Sequence, residues 1–139
     1  MFRTIDETLQ VSGQISPEDV ATAASQGIRT IINNRPDGEQ PGQPTSAEIE
    51  AAATAAGLAY VHIPVDHSGF SMAQVEAMTA ALQQPAPALA FCRSGTRSTF
   101  LWSLARSLAG DEPTEIAAKA VKAGYDVSPL MPMIQSLRK

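Results

Sequence analysis

The chain has 139 residues, 44% of them hydrophobic and 17% charged, so we expect residues 1–139 to form one folded domain rather than a disordered or collagen-like chain. A formal net charge of −4 argues against a protein whose main partner is nucleic acid. The single cysteine, Cys92, excludes an internal disulfide and a multi-thiolate zinc site, and we predict neither a metal nor a cofactor.

Short apolar segments of strand length alternate along the chain with signals for helix starts. The predicted strands are residues 9–11, 29–32, 59–63 and 88–91. Capping residues predict helix starts at Ser16, Thr45, Ser71, Thr114 and Ser128. Glycines that end helices are predicted at Gly27, Gly57, Gly110 and Gly124. This alternation predicts an α/β fold with a central, mostly parallel sheet of four to five strands flanked by helices.

The segments outside these elements add little to this plan. Residues 35–44 carry three prolines and two glycines, which is typical of a loop after a strand. The tail from Asp111 onward has no strand candidate and is predicted to form two short helices. The chain turns polar at Thr4 without an apolar signal segment, and no run reaches the length of a membrane span. We therefore expect a cytoplasmic protein without a membrane partner.

One segment between a predicted strand and a predicted helix combines a nucleophile with anion-binding groups. The strand 88–91 leads into Cys92 and a short loop with one glycine, and a helix follows at once. Backbone N–H groups of such a loop and of a helix N-terminus point at one spot and bind a tetrahedral oxyanion. Arg97 adds a planar fork of donors, whereas Arg93 is expected to point outward. The predicted substrate-binding residues of the loop are Arg93, Ser94, Gly95, Thr96 and Ser98.

The same surroundings act on the sulfur of Cys92. A helix N-terminus, loop amides and a guanidinium stabilise a thiolate, and a thiolate is the nucleophilic form. Ser98 follows Arg97 directly and is predicted to donate a hydrogen bond to this sulfur. The alternative interpretation is a small buried cysteine that only packs, but the arginines and the glycine around Cys92 favour catalysis.

The sequence from Cys92 to Ser98 resembles the anion-binding loops of two enzyme families. One is the cysteine-dependent phosphatases, whose pattern has five residues between Cys and Arg. The other is the rhodanese sulfurtransferases, many of which have four, as this chain does between Cys92 and Arg97. Phe91 also stands where the phosphatase pattern has histidine.

Other segments are similar to phosphatases rather than to rhodaneses. Residues 27–35 resemble the dual-specificity phosphatase strand that ends in Asn-Leu-Arg, and residues 61–66 resemble the segment that brings the aspartate acid over the active site. Residues 11–17, 31–39 and 91–98 together resemble the bacterial phosphatase-like domain of beta-lactamase hydrolase-like proteins, and the resemblance covers about residues 9 to 110. In that family the domain stands alone or is fused to a metallo-hydrolase domain of the persulfide dioxygenase type, which implies a functional link to such an enzyme.

Asp66 is the candidate general acid, because a leaving alkoxide needs a proton and a carboxyl group at a strand end can reach the loop. His67 is the alternative acid, and residues 66–69 also have the composition of a simple turn. His62 is predicted to be structural. Arg35 and Asp37 follow another strand end, where two interpretations apply: they line the rim of the same pocket, or they are parts of a polar turn, which we favour.

The sequence predicts three candidate functions, of which we favour the first. The chain is predicted to hydrolyse a phosphomonoester through a phosphocysteine on Cys92, with Arg97 binding the phosphoryl group and Asp66 protonating the leaving group. The alternative is a sulfurtransferase that passes sulfane sulfur through a Cys92 persulfide, which needs no general acid. The third is an anion-binding module without turnover.

Overall fold

A computed structural model describes residues 2–138 of the chain. The strands are β1 (Arg3–Asp6), β2 (Leu9–Ser12), β3 (Thr30–Asn33), β4 (Ala59–His62) and β5 (Ala88–Phe91). The helices are α1 (Pro17–Ser25), α2 (Ser46–Ala55), α3 (Met72–Ala81), α4 (Thr96–Leu108), α5 (Pro113–Lys122) and α6 (Met131–Leu137), with a 3-10 turn at Ser128–Leu130. None of the helices within residues 2–138 is both long enough and apolar enough to cross a membrane.

The strands form one sheet in the order β1-β2-β5-β3-β4. β2, β5, β3 and β4 pair in parallel, and β1 is antiparallel to β2. This confirms the predicted α/β fold with a mostly parallel, five-stranded sheet. The carboxyl ends of the four parallel strands therefore meet at one edge of the sheet, where ligands bind in open α/β folds.

The two faces of the sheet carry separate apolar clusters because side chains alternate along a strand. Ile31 points into the cluster beneath α1 and α2, and its neighbour Ile32 points into the cluster on the opposite face. Trp102 on α4 is almost fully buried in the second cluster. β5 lies between β2 and β3 and is buried along its whole length. The last strand before Cys92 is thus the centre of the fold.

The helix signals were accurate at most positions. Ser16 and Ser71 form capping boxes with Asp19 and Gln74, and Thr45 caps α2. The four glycines predicted to end helices all have positive φ. At the C-terminal side, α5 begins at Pro113 rather than after Thr114, because proline suits the first helical position. Ser128 opens a 3-10 turn that continues into α6.

β1 was missed in the sequence. Within this four-residue edge strand only Ile5 is buried, so the segment has no apolar run from which a strand could be predicted.

Candidate active site

Cys92 follows β5 directly and is fully buried. Its N–H donates to the carbonyl of Ser12 at 3.4 Å, which continues the pairing with β2. The chain then turns back, and the N–H of Gly95 donates to Sγ of Cys92 at 3.1 Å. Gly95 precedes α4 with φ of 90°, a left-handed conformation that favours glycine. Residues 92–98, which we call the Cys loop, therefore direct a backbone donor at the sulfur, as the sequence predicted.

Two neighbouring segments fix the Cys loop from outside. The carbonyl of Arg93 accepts from the N–H of Gln14 at 3.3 Å, and a Cβ at Gly13 would lie 2.9 Å from the same carbonyl oxygen. The hydroxyl of Tyr125 donates to the carbonyl of Ser94 at 3.1 Å. Carbonyls that point outward to these partners leave the amides of the loop free to turn inward.

The two arginines of the Cys loop differ in orientation. Arg93 is exposed and Arg97 is 8% exposed, which confirms the predicted outward and inward directions. The Arg97 guanidinium forms a double ion pair with Glu39, with Nη1–Oε2 at 2.7 Å and Nη2–Oε1 at 2.9 Å, and Nη1 also donates to the carbonyl of Val65 at 2.6 Å. The bond to Glu39 raises the pKa of Arg97, and the nearby Cys92 contributes in the same direction. Arg97 is permanently charged in this setting.

Ser98 is fully buried, and its hydroxyl has no hydrogen-bond partner within residues 2–138. The predicted hydrogen bond from Ser98 to the sulfur is therefore wrong, and the Gly95 amide is the group that contacts it. Thr99 and the Gly95 carbonyl form the first turn of α4 instead.

A cluster of polar side chains that sequence reasoning missed surrounds Glu39. Arg35 is only 2% exposed, and its Nε contacts Oε1 of Glu39 at 2.7 Å. Its Nη1 and Nη2 donate to Gln14 at 2.9 Å and to Gln40 at 3.0 Å. The bonds from Arg97 and then Arg35 lower the pKa of Glu39 to about 2, although burial acts in the opposite direction.

The interpretation of Arg35 as part of a polar turn is thus wrong, because its guanidinium is enclosed by these partners. Asp37 does lie in an exposed turn, where its carboxylate accepts from the N–H of Ser46 at the start of α2. A charged residue six positions after the end of a buried strand was the available signal for Glu39, but the proline and glycine content of residues 35–44 indicated only a loop.

Asp66 lies in an exposed loop after β4. Its Oδ1 accepts from the hydroxyl of Ser68 at 2.5 Å and from the N–H of Ser68 at 2.8 Å. These two bonds lower the pKa of the Asp66 carboxyl, so at neutral pH it is a carboxylate. His67, the alternative acid, is exposed beside it. His62 is half-buried, with Nε2 3.0 Å from the Arg35 carbonyl, in keeping with a structural role.

A cavity of about 540 Å³ connects the Asp66 loop to the Cys loop. Phe70 and Phe100 form its aromatic part, with ring centroids 6.3 Å apart in an edge-to-face arrangement. The buried Cys92, Gly95 and Ser98 do not line this cavity. Its lining residues are Asp66, His67, Gly69, Phe70, Arg93, Ser94, Thr96, Arg97 and Phe100. The structure therefore brings five of the predicted site residues to one cavity.

Solved structures with the same fold include phosphatases. A candidate phosphatase from Neisseria meningitidis matches with a TM-score of 0.82 and 34% identity over 98% of this chain and 97% of its own. The core catalytic domain of the PP-IP phosphatase SIW14 from S. cerevisiae matches with a TM-score of 0.69 and 15% identity over 99% of this chain and 85% of its own, which shows the fold alone.

Sequence comparison gives the family. The family model for the phosphatase-like domain of beta-lactamase hydrolase-like protein matches residues 1–109. The beta-lactamase hydrolase-like protein of Xylella fastidiosa is 37% identical over 125 residues, which is 88% of this chain. The chain spans 29% of the length of that relative. With a fold shared with cysteine phosphatases and a match over most of its length, the chain belongs to the family of phosphatase-like domains of beta-lactamase hydrolase-like proteins.

Proposed function

We propose that the chain is a cysteine-dependent phosphatase that hydrolyses a phosphomonoester. The observation that carries the proposal is the Gly95 N–H directed at Sγ of Cys92, in a loop that ends at the inward-pointing Arg97. A backbone donor on the sulfur and the N-terminus of α4 direct partial positive charge at the proposed nucleophile. The same groups favour a bound dianion, so nucleophile and phosphoryl group share one electropositive site.

In the first step, the Cys92 thiolate attacks phosphorus, a P–S bond forms and the P–O bond to the leaving group breaks. The electron pair of that bond goes to the leaving oxygen, which takes a proton from the carboxyl group of Asp66. In the second step, water attacks phosphorus and gives its proton to the Asp66 carboxylate. The P–S bond breaks, inorganic phosphate leaves and the thiolate is restored.

The remaining site residues bind the phosphoryl oxygens. The amides of residues 93–96 and of Ser98 supply backbone donors, and Arg97 supplies the guanidinium. The cavity beside them receives the leaving group, and the Phe70 and Phe100 rings favour an apolar or aromatic one.

The test is whether phosphate becomes covalently attached to Cys92. The protein is mixed with an aryl phosphate, quenched in acid and digested, and the peptide containing Cys92 is analysed by mass spectrometry. We expect an added phosphoryl group on that peptide and release of phosphate on turnover, both absent in Cys92→Ser. Turnover by Cys92→Ser at the rate of the unchanged protein would contradict the proposal.

Sulfur transfer is the second candidate, and a specific observation favours it. Ser68 holds Asp66 in its ionised form, which opposes a role as proton donor, and sulfur transfer needs none. The Cys92 thiolate would attack the outer sulfur of thiosulfate, the S–S bond would break and sulfite would leave with its electron pair. An acceptor thiolate or cyanide would then take the sulfane sulfur from the Cys92 persulfide. This function would connect the chain to a metallo-hydrolase of the persulfide dioxygenase type.

The intact mass after incubation with thiosulfate separates the two candidates. A persulfide adds one sulfur to the unchanged protein but not to Cys92→Ser. Rapid transfer to cyanide together with no cleavage of alkyl or aryl phosphates would reverse the order of the two proposals.

A further inference from the structure

Only some of the N–H donors of the Arg97 guanidinium have acceptors within residues 2–138. A guanidinium has five N–H groups in a fixed plane. Glu39 accepts from one N–H each of Nη1 and Nη2, which form the end edge of the guanidinium. The carbonyl of Val65 accepts from the second N–H of Nη1. Within residues 2–138 these are the only acceptors that Arg97 contacts with full hydrogen-bond geometry. The N–H of Nε and the second N–H of Nη2 remain, and both lie in the guanidinium plane along the same edge.

These two N–H groups form a complete fork, the side edge of the guanidinium, which matches two oxygens of a phosphate. Arg97 lines the same cavity as Arg93, Ser94 and Thr96, so its guanidinium lies beside the Cys loop. Glu39, bound at the end edge formed by Nη1 and Nη2, and the Val65 carbonyl thus hold the guanidinium in one rotation. That rotation leaves the side edge for a ligand.

Glu39 is itself held in place. Nε of Arg35 donates to Oε1 of Glu39, the oxygen that also accepts from Nη2 of Arg97. Nη1 and Nη2 of Arg35 donate to the side chains of Gln14 and Gln40. Arg35 is almost completely buried, so this contact is not that of a mobile surface pair. Two arginines sharing one carboxylate keep a net charge of +1, whereas Glu39 alone would neutralise Arg97.

We propose that Glu39, anchored by Arg35, is a positioning residue that holds the end edge of Arg97 so that its side edge is presented to the tetrahedral anion bound by the Cys loop. The inference rests on the proposed anion site. It identifies Glu39 as part of the working site rather than as a competitor that a substrate must displace.

The two roles of Glu39 predict opposite results for Glu39→Gln. As a competitor, the carboxylate weakens anion binding, so its loss would tighten binding of inorganic phosphate and raise kcat/KM. As a positioning residue, its loss lets the guanidinium rotate, and we expect kcat/KM for an aryl phosphate to fall by about 10²-fold, the size of effect that a misplaced catalytic geometry produces. The control is Glu50→Gln on the exposed face of α2, which removes the same charge and leaves kcat/KM unchanged.

A double-substitution cycle tests the anchoring by Arg35. If Arg35 acts only through Glu39, then Arg35→Gln and the double variant Arg35→Gln/Glu39→Gln lose about as much kcat/KM as Glu39→Gln alone. If the losses in kcat/KM multiply in the double variant, Arg35 does not act on Arg97 through Glu39, and the proposed anchoring is wrong. Circular dichroism and thermal unfolding check that each variant folds, and Glu39→Gln decides alone if the Arg35 variants do not.

NMR of the arginine side chains supplies a readout that folding alone does not change. In the unchanged protein, inorganic phosphate is expected to shift the resonances of Arg97 Nε–H and of the Nη2 N–H on the same edge, and to leave the Nη1 resonances of a fixed guanidinium in place. In Glu39→Gln we expect the Nη resonances to merge through rotation. If phosphate shifts Nε–H equally in both proteins and kcat/KM is unchanged, this inference fails while the proposed function stands. If the unchanged protein neither responds to phosphate nor cleaves an aryl phosphate, both fail.

Discussion

The hydroxyl of Tyr125 donates a hydrogen bond to the carbonyl of Ser94 at 3.1 Å and so joins the turn after α5 to the Cys loop. A Cβ at Gly95 would overlap this hydroxyl. Burial raises the pKa of Tyr125, the Arg3 guanidinium 5.7 Å from the ring centroid acts in the opposite direction, and Cys92 adds to the increase. The phenol thus stays protonated and remains a donor. Tyr125 lies beyond the residues that the family model matches.

Tyr125→Phe should therefore loosen the Cys loop without disturbing the core. We expect a loss of about 1 kcal/mol in the free energy of unfolding, the usual value for one hydrogen bond. We also expect a fall of a few fold in kcat, because the loop carbonyl loses its partner. Urea unfolding and steady-state kinetics measure both. A variant with unchanged kcat and unchanged phosphate affinity would show that the bond is incidental.

Arg97 and Arg93 are matched residues of the same loop with opposite exposure, so they provide a direct comparison. Arg97→Ala should weaken binding of inorganic phosphate by about 10- to 100-fold, since hydrogen bonds to charged groups contribute about 1.5–3 kcal/mol. Arg93→Ala should change it by only a few fold, because its side chain is in solvent. Isothermal titration calorimetry gives the affinities. Equal losses in the two variants would contradict the proposed role of Arg97.

Asp66→Asn distinguishes the proposed functions. If Asp66 is the general acid, turnover of an alkyl phosphate should fall by ~10²–10⁴-fold, and turnover of an aryl phosphate with an acidic leaving group should fall less. Thiosulfate-to-cyanide transfer should persist, because sulfite leaves without a proton. His67→Gln is the control for the alternative acid. A larger loss in His67→Gln than in Asp66→Asn would assign the proton to the histidine.

Ser68→Ala should alter the pH dependence of the phosphatase reaction. Removing the hydroxyl donor raises the pKa of Asp66 toward its ordinary value, so the protonated, acidic form persists to higher pH. The alkaline limb of kcat against pH for an alkyl phosphate should move to higher pH, and the rate at mildly acidic pH should rise. A limb that stays in place would exclude Asp66 as the group that titrates in this reaction.

Glu39 should make stability depend on pH in the acidic range. Its pKa is about 2 in the folded protein against an ordinary value of 4.5, so its stabilising contribution is complete above the ordinary value and is lost as pH falls from there through about 2. We expect the difference in unfolding free energy between the unchanged protein and Glu39→Gln to be largest at neutral pH and to shrink across that interval. Urea unfolding at several pH values measures it, and a difference independent of pH would be contrary to the ion-pair geometry.

The sequence predicted the features that depend on neighbouring residues. Four strands and the Cys loop follow from apolar runs, caps and one glycine, each of which acts within a few positions. The outward direction of Arg93 and the inward direction of Arg97 could be inferred from the turn into α4.

The contacts that sequence reasoning missed join distant parts of the chain. Glu39 meets Arg97 across 58 positions, and Tyr125 meets Ser94 across 31. Arg35 is buried after a strand in a segment whose prolines and glycines indicate an exposed loop. No local pattern shows which carboxylate, of several in the chain, pairs with Arg97, because the pairing depends on how the loops after β3 and β5 come together at one sheet edge.

The residues after 109 determine where this domain can be cut when it is transferred into another protein. Ile116, Ala120 and Ile134 are almost fully buried in the same cluster as Trp102, and the Ser107 hydroxyl donates to the carbonyl of Ile134. The end of the family-model match at residue 109 therefore falls within a continuous apolar interior. A transplanted unit cut at that limit would leave one side of α4 in water and the Cys loop without its tyrosine, so a functional graft has to include α5 and α6.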